Sequence, residues 1–430
     1  MRIQITRGKS IELGGPKGPS GIVGLDIETS SIAATEVRGN SKISKTAIVP
    51  LPPGVVNEGE VEDPEALSQA LSDLFSQYKL GKSVRVGVAN QRVVVRTLQL
   101  PLIEDEDELE TAVRFQAQEH IPMPLDQAVL DHHVVSRNAG PEGERQMEVV
   151  AVAARRDMVT ALLGAMRKAG LQPVGIDLSA FGMIRALHQE NGNGGNGDAT
   201  PFDAAPSAPA PTDETAPGDA VPLDSVPVGG DAPAEDGAPA DDGAPTEDGA
   251  PTEAFEAPPL PGDQLATTTL YCYLGDVTNL AVARGSECLF TRVAPFGMET
   301  IAAEVAQGQS MPPEDARDLL LEVGLEESVD FFDEDGAGAV AAREALQSGA
   351  TKLADELRLS LDFYGAQENV PSIERVVVCG PGSTIPGLPE HIQTGLGLGI
   401  ESVSPEALSH LDHEDAARLT VSYGLALGEG

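Results

Sequence analysis

The chain has 430 residues, enough for two or three domains. Its 68 acidic residues against 28 basic ones give a net charge of −40, which excludes the basic footprint of a nucleic-acid binder and argues against direct adsorption to anionic lipid. Hydrophobic residues make up 41% but aromatics only 3%, with no Trp, so the cores must be built from Val, Leu, Ile and Ala. The opening M-R-I-Q-I-T-R-G-K-S lacks the apolar stretch of a signal peptide. No run reaches the roughly 18 apolar residues of a spanning helix, and a cytoplasmic protein is expected. Cys272, Cys288 and Cys379 are far apart in apolar runs, so each is expected as a buried reduced thiol.

Residues 1–19 are polar and rich in Gly and Pro, and read as a loose arm. Around Gly24–Val37 an apolar run ends in Asp26, a Thr-Ser-Ser turn follows, and a second β-branched run returns. Such a turn exposes backbone N–H groups that can cradle phosphate oxygens, and Asp26 could hold magnesium through water. Taken alone, the same residues read first as an ordinary hairpin with a polar turn. A third strand is expected at Lys45–Val49. Asp63 and Pro64 then supply an N-cap and first-turn proline for a helix carrying Leu67, Leu71, Leu74, Phe75 and Tyr78, with Gly81 as its stop. Short strands follow at Val84–Val88 and Arg92–Leu98.

Glu104–His120 reads as a helix with Leu109, Val113 and Ala117 on one face, leading to Ile121 and ended by Pro122 and Pro124. Strands at Ala128–Ser136 and Met147–Ala153 precede a helix capped by Asp157 and closed by Gly170. With a further strand at Pro173–Asp177, this looks like a compact α/β insert. His132 and His133 are adjacent, so on a strand they point to opposite faces and cannot share a metal. Leu178–Gln189 is a helix.

From Asn191 to Gly262 there are fifteen acidic residues and no Lys or Arg, with a D-G-A-P repeat at Asp236, Asp242 and Asp248. This composition predicts a disordered acidic linker. Replacing it with a short Gly/Ser loop should leave the melting temperature nearly unchanged; a large fall in a thermal scan would mean that it packs on the folded parts. Strands resume at Thr267–Leu274, Leu280–Arg284 and Cys288–Arg292, with the turn G-D-V-T-N between the first two. Helical segments are expected at Pro313–Val323, Ala339–Ser348 and Thr351–Tyr364. The strand Ile373–Cys379 enters G-P-G-S, Gly387–Gly395 leads to a helix, and small residues at the end, T-V-S-Y-G-L-A-L-G, allow close packing.

Three loops thus line up: D-I-E-T-S-S, L-G-D-V-T-N and C-G-P-G-S. With them the sequence resembles the actin-like ATPase superfamily, and within it the type IV pilus assembly protein PilM family, related to FtsA. The resemblance is carried by G-L-D-I-x-T-S-S-I-A-A-T-E-V at Gly24, V-R-F-Q-A-Q-E-H-I-P-M-P-L-D at Val113 and V-A-A-R-R-D-M-V at Val152. It continues through F-T-R-V-A-P-F-G at Phe290, E-L-R-L-S-L-D-F-Y at Glu356 and Y-G-L-A-L at Tyr423.

The resemblance implies an α/β, actin-like two-lobe fold with a ferredoxin-like 1C insert in the first lobe. Lobe I would comprise 20–91 and the connecting stretch 174–190, with Asp177 and Ala180 at the junction of the lobes. The insert would span 92–173, the linker 191–262 and lobe II 263–430. ATP and Mg2+ would be the cofactors. Asp26, Thr29, Ser30 and Ser31 would form the first phosphate loop, with Asp26 serving the metal. Gly275, Thr278 and Asn279 would form the second, and Glu356, Ser360, Gly380, Gly382 and Ser383 would lie at the nucleoside. Three positions depart from the family pattern: Glu28 stands for glycine in the first loop, Tyr273 for aspartate in the second, and Pro381 for the second glycine of the third. A negative charge beside the phosphates works against a phosphate clamp. The implied function is therefore a non-catalytic or weakly catalytic cytoplasmic adaptor, held at the inner membrane by the cytoplasmic tail of a PilN-type protein. Arg114, Phe115 and Gln118 of the insert helix are its expected contacts, and other pilus assembly proteins are further expected partners. The alternative is an active actin-like ATPase or a kinase of the same fold.

Overall fold

The computed structural model describes residues 21–39, 41–139, 145–192, 267–325, 336–367 and 370–427. The expected arm, and the expected linker beyond Gly192, lie outside them.

Alternating Val23 and Leu25 make the first strand, β1 (Ile22–Ile27), two-sided and buried. It turns at Glu28–Ser30 into β2 (Ser31–Arg38), which pairs antiparallel with both β1 and β3 (Lys42–Pro50). A two-strand ladder, β4 (Val56–Asn57) and β5 (Glu60–Val61), precedes helix α1 (Pro64–Tyr78). The Asp63 carboxylate accepts the N–H groups of Glu65 and Ala66, as an N-cap should. The helix stops before Gly81: Lys79 takes the left-handed conformation at φ 53° and its N–H returns to Phe75 O. Strand β6 (Ser83–Val88) then pairs parallel with β1.

The chain next leaves this sheet. β7 (Val94–Pro101), helix α2 (Glu106–His120), β8 (Ala128–Ala139) and β9 (Arg145–Arg155) form a separate three-stranded sheet in the order β7-β9-β8. Leu109 and Val113 of α2 close on Leu98, Leu100, Met147, Val149 and Ala151. Helix α3 (Arg156–Lys168) does not join this unit. Its Met158, Val159, Leu162, Leu163 and Met166 are buried with α1 and the first sheet. Nor does Asp157 cap it: the helix begins at Arg156, and Asp157 sits in its first turn bonded to Arg155. β10 (Gln172–Leu178) returns to the first sheet, parallel to β6. The strand expected at Pro173–Asp177 therefore belongs with β1 and not with the insert. Helix α4 (Ser179–Gly192) follows and runs two residues past the expected start of the linker.

The second half repeats the plan. β11 (Thr268–Leu274), β12 (Thr278–Arg284) and β13 (Glu287–Ala294) form an antiparallel meander. Helices α5 (Met298–Gln309), α6 (Pro313–Val323) and α7 (Gly336–Gly365) lead to β14 (Arg375–Cys379). The last elements are a 3-10 turn at Pro381–Thr384, helix α8 (Leu388–Leu396), β15 (Ile400–Ser402), a 3-10 turn at Glu406–Leu408 and helix α9 (His413–Leu427). The two five-stranded sheets run β3-β2-β1-β6-β10 and β13-β12-β11-β14-β15. Each is an antiparallel meander continued by two parallel strands. The helices expected at Ala339–Ser348 and Thr351–Tyr364 are one, α7, because Gly349 is a packing residue inside it. A Cβ there would lie 2.4 Å from Ile301 Cδ1.

The two sheets share a middle layer. Leu270, Cys272 and Leu274 face one way on β11, while Tyr271 and Tyr273 face α4 and α9. On β2, Ala33 and Val37 turn to the same two helices. The layer is thin because it is made of small groups: a Cβ on Gly424 would stand 1.8 Å from Gly182 O, and one on Gly24 would stand 1.9 Å from Ser422 O. Cys272 and Cys379 are buried free thiols, and Cys288 is a half-buried one.

Candidate functional site

The turn after β1 and the turn after β11 meet between the sheets. Each begins where a buried strand ends, so each presents backbone N–H groups to the other. The first turn closes on itself through Glu28 N–H to Ser31 O at 2.9 Å. Its next free donors go across the cleft. Ser30 N–H donates to Asp276 Oδ2 at 2.6 Å, and Ser30 Oγ–H to Asp276 Oδ1 at 3.0 Å. In return Asp276 N–H donates to Glu28 Oε1 at 3.0 Å. Gly275 makes room for this exchange, since a Cβ there would lie 2.1 Å from Glu28 Oε1 and 2.4 Å from the Tyr273 ring.

The remaining cleft is lined by Asp26, Glu28, Thr29, Tyr273, Asp276 and Asn279, with Ser179 at its floor. Asp26 is 5% exposed, and its Oδ1 accepts the Ser179 hydroxyl at 3.3 Å. Burial pushes its carboxyl up to about 7; the Ser179 bond opposes this and the Asp276 charge adds to it. Burial, then the charges of Asp276 and Asp26, hold Glu28 well above the usual carboxylate range. The Tyr273 hydroxyl and Asn279 Oδ1 are buried without a hydrogen-bond partner. Among the described residues no group of three or more His, Cys, Asp or Glu side chains is arranged to hold a metal.

Of the residues expected at a nucleotide, Asp26, Thr29 and Asn279 come together at the cleft, with Ser30 and Gly275 in the contact that closes it. The others are occupied elsewhere. Ser31 lies in β2 opposite Pro50, and Thr278 Oγ–H donates to Phe296 O at 2.7 Å. Glu356 and Ser360 are both held by Arg292 of β13, at 3.0 and 2.9 Å. Gly380 takes φ 84° and a Cβ there would also strike the Tyr273 ring at 2.9 Å, Gly382 presses on Leu274, and Ser383 Oγ–H folds back on Gly380 O. That loop is a packing turn against β11. Asp177 at the end of β10 is paired with Arg185 at 2.5 Å, and Ala180 lies in the shared middle layer.

On the insert, α2 shows a second surface. Phe115 is 68% exposed while Leu109, Val113 and Ala117 on the opposite face are buried. Gln118 is exposed beside it and Arg114 half-buried. Asp276, Ser179 and Arg292 were not singled out by the sequence. Asp276 is visible there only as one polar residue of a turn, and its partner is 246 positions away.

Two sheets of the same topology, joined by paired helices and with facing hairpins between them, define the actin-like ATPase fold. Residues 24–198 match the family model described as type IV pilus assembly protein PilM. The solved PilM–PilN type IV pilus biogenesis complex is similar over 95% of this chain and 98% of that one, at 23% identity with TM-score 0.67. Ethanolamine utilization protein EutJ from Carboxydothermus hydrogenoformans is more distant, at 13% identity over 96% and 92% of the two chains with TM-score 0.48. MreB 5 of Spiroplasma citri bound to AMPPNP shows 12% identity over 96% and 97%, with TM-score 0.45. Among the described residues no helix is long and apolar enough to cross a membrane.

Proposed function

We propose that the chain is a PilM-like adaptor that grips the extended cytoplasmic tail of a PilN-type inner-membrane protein and is held at the membrane through it. The observation that carries this reading is the PilM family match over 24–198, the stretch that contains the insert and its exposed Phe115. A similar fold occurs in a solved complex of PilM with PilN. In this reading the five-stranded sheets are lobes I and II, and the unit around α2 is the partner-binding insert. An exposed aromatic with polar neighbours is a suitable anchor, because a ring buries much area at little entropic cost. Positioning an extended peptide needs a shaped groove and backbone hydrogen bonds, and no turnover of ATP. An active ATPase is the weaker reading, since carboxylates stand where phosphates would have to enter.

A synthetic peptide of the cognate PilN cytoplasmic end should bind with a Kd of about 1 μM or tighter, protecting α2 around Arg114–His120 and β7 from hydrogen exchange. Phe115→Asp should weaken binding by about 100-fold, a loss of some 2–3 kcal/mol typical of an interface anchor. It should leave the melting temperature unchanged, because the ring takes no part in the core. Peptide binding without protection of these segments would move the interface elsewhere, and no binding at all would remove the adaptor reading.

A further inference from the structure

We propose that the cleft is sealed by the chain itself: the carboxylates of Glu28 and Asp276 take the hairpin donors that nucleotide phosphates would need, so the two sheets close on each other without ATP.

The geometry is reciprocal. Asp276, 7% exposed, uses both oxygens on Ser30, one on the backbone N–H and one on the hydroxyl. Glu28 reaches back over Gly275 to the Asp276 N–H. Each turn therefore delivers a carboxyl oxygen to the amide of the other, the place a phosphate oxygen takes when it bridges two such loops. These bonds are largely shielded from water, and a hydrogen bond so shielded is stronger than one in solvent. A nucleotide would have to displace both carboxylates from these donors before its own oxygens could use them.

The surrounding chemistry points the same way. A polyphosphate would enter beside the carboxyl groups of Asp26, Glu28 and Asp276, which crowd one cleft so that added negative charge there is opposed. The neighbouring cations are committed: Arg418 binds Glu414 at 3.0 Å, and Arg317 makes a two-pronged pair with Glu299 at 2.7 and 2.9 Å. Tyr273 brings a buried phenol where a metal-ordering carboxylate is expected, and its hydroxyl has no partner. Glu356 and Ser360 are pinned by Arg292. The donor set thus does not fit ATP with magnesium. The inference is independent of the PilN-type partner, since it concerns only the two turns.

The test uses the full chain, calorimetric titration with ATP and magnesium, and hydrogen exchange of segments 28–31 and 275–279. The wild type should show no saturable binding tighter than about 1 mM, and both segments should exchange slowly, at one rate with or without ATP. Glu28→Gly/Asp276→Ala should speed their exchange by about 10-fold or more as the seal opens. Glu28→Gln, which keeps the acceptor oxygen, should retain wild-type protection. Saturable wild-type binding below about 1 mM overturns the proposal. So does unchanged exchange in the double variant. If circular dichroism shows that the double variant has unfolded, the wild-type titration and its exchange with and without ATP still decide.

Discussion

Gly424→Ala should destabilise the protein by more than about 3 kcal/mol, whereas Gly164→Ala should stabilise it by about 0.5–1 kcal/mol. The substitution is the same, and both glycines lie in helices. At Gly164, on the outer face of α3, a new Cβ meets nothing within 4 Å, so only the helix propensity changes. At Gly424 the new methyl would stand 1.8 Å from Gly182 O and 2.6 Å from Gly182 C. Those are backbone atoms of α4, and they cannot step aside as a side chain could. The helices must separate, and α9 is also pinned on its other side, where a Cβ on Gly24 would meet Ser422 O. Separation would break Arg185 Nε–H to Gly424 O at 3.0 Å and Arg85 Nη1–H to Leu425 O at 3.0 Å as well. Thermal or urea denaturation of the two variants against the wild type checks the sign as well as the size. Two shifts of the same sign would mean that the middle layer is not close-packed glycine on glycine.

These contacts also explain what the sequence could and could not tell. The opening hairpin, α1 with its Asp63 cap, and the G-D-V-T-N turn are local: strand alternation and capping chemistry lie within a few residues of each other. Helices α5 and α9 are harder to read because small residues share their buried positions with larger ones such as Ile301, Val305, Leu419 and Leu425. Ala302, Ala306, Ala416, Ala417 and Gly424 carry too little hydrophobic contrast to mark one face, and α9 is buried nearly all round. The placement of α3 depends on α1 and β10, which its own amphipathic pattern does not identify. At the cleft, Asp26, Thr29 and Asn279 were legible because their turns are. Glu28 was legible as a charge out of place, but its bond to the Asp276 amide was not. Pairing between turns 246 to 248 positions apart is a property of the doubled fold, and neither turn shows it alone.

The buried Asp26 should make stability fall as pH rises, and Asp26→Asn should abolish most of that fall. Its carboxyl is pushed up from 3.8 to about 7, first by burial. Between about pH 4 and pH 7 the unfolded chain has released this proton while the folded chain keeps it, so folding takes up a proton and a rise in pH opposes it. The group's favourable effect is complete at and below about pH 4 and exhausted above about pH 7. Over that window the shift corresponds to about 4 kcal/mol, with Glu28, raised in the same direction, steepening the slope. Asparagine keeps an oxygen for the Ser179 hydroxyl and never ionises. Asp26→Asn should therefore match the wild type near pH 4 and exceed its stability at pH 8 by about 2–4 kcal/mol. Urea denaturation of both proteins from pH 4 to pH 8 measures this difference directly, because the repulsion among the other acidic residues is common to both and cancels. Parallel profiles would mean that Asp26 stays ionised in the folded chain, with water or a counter-ion reaching the cleft floor; converging profiles at low pH place the proton on the carboxylate that faces Ser179.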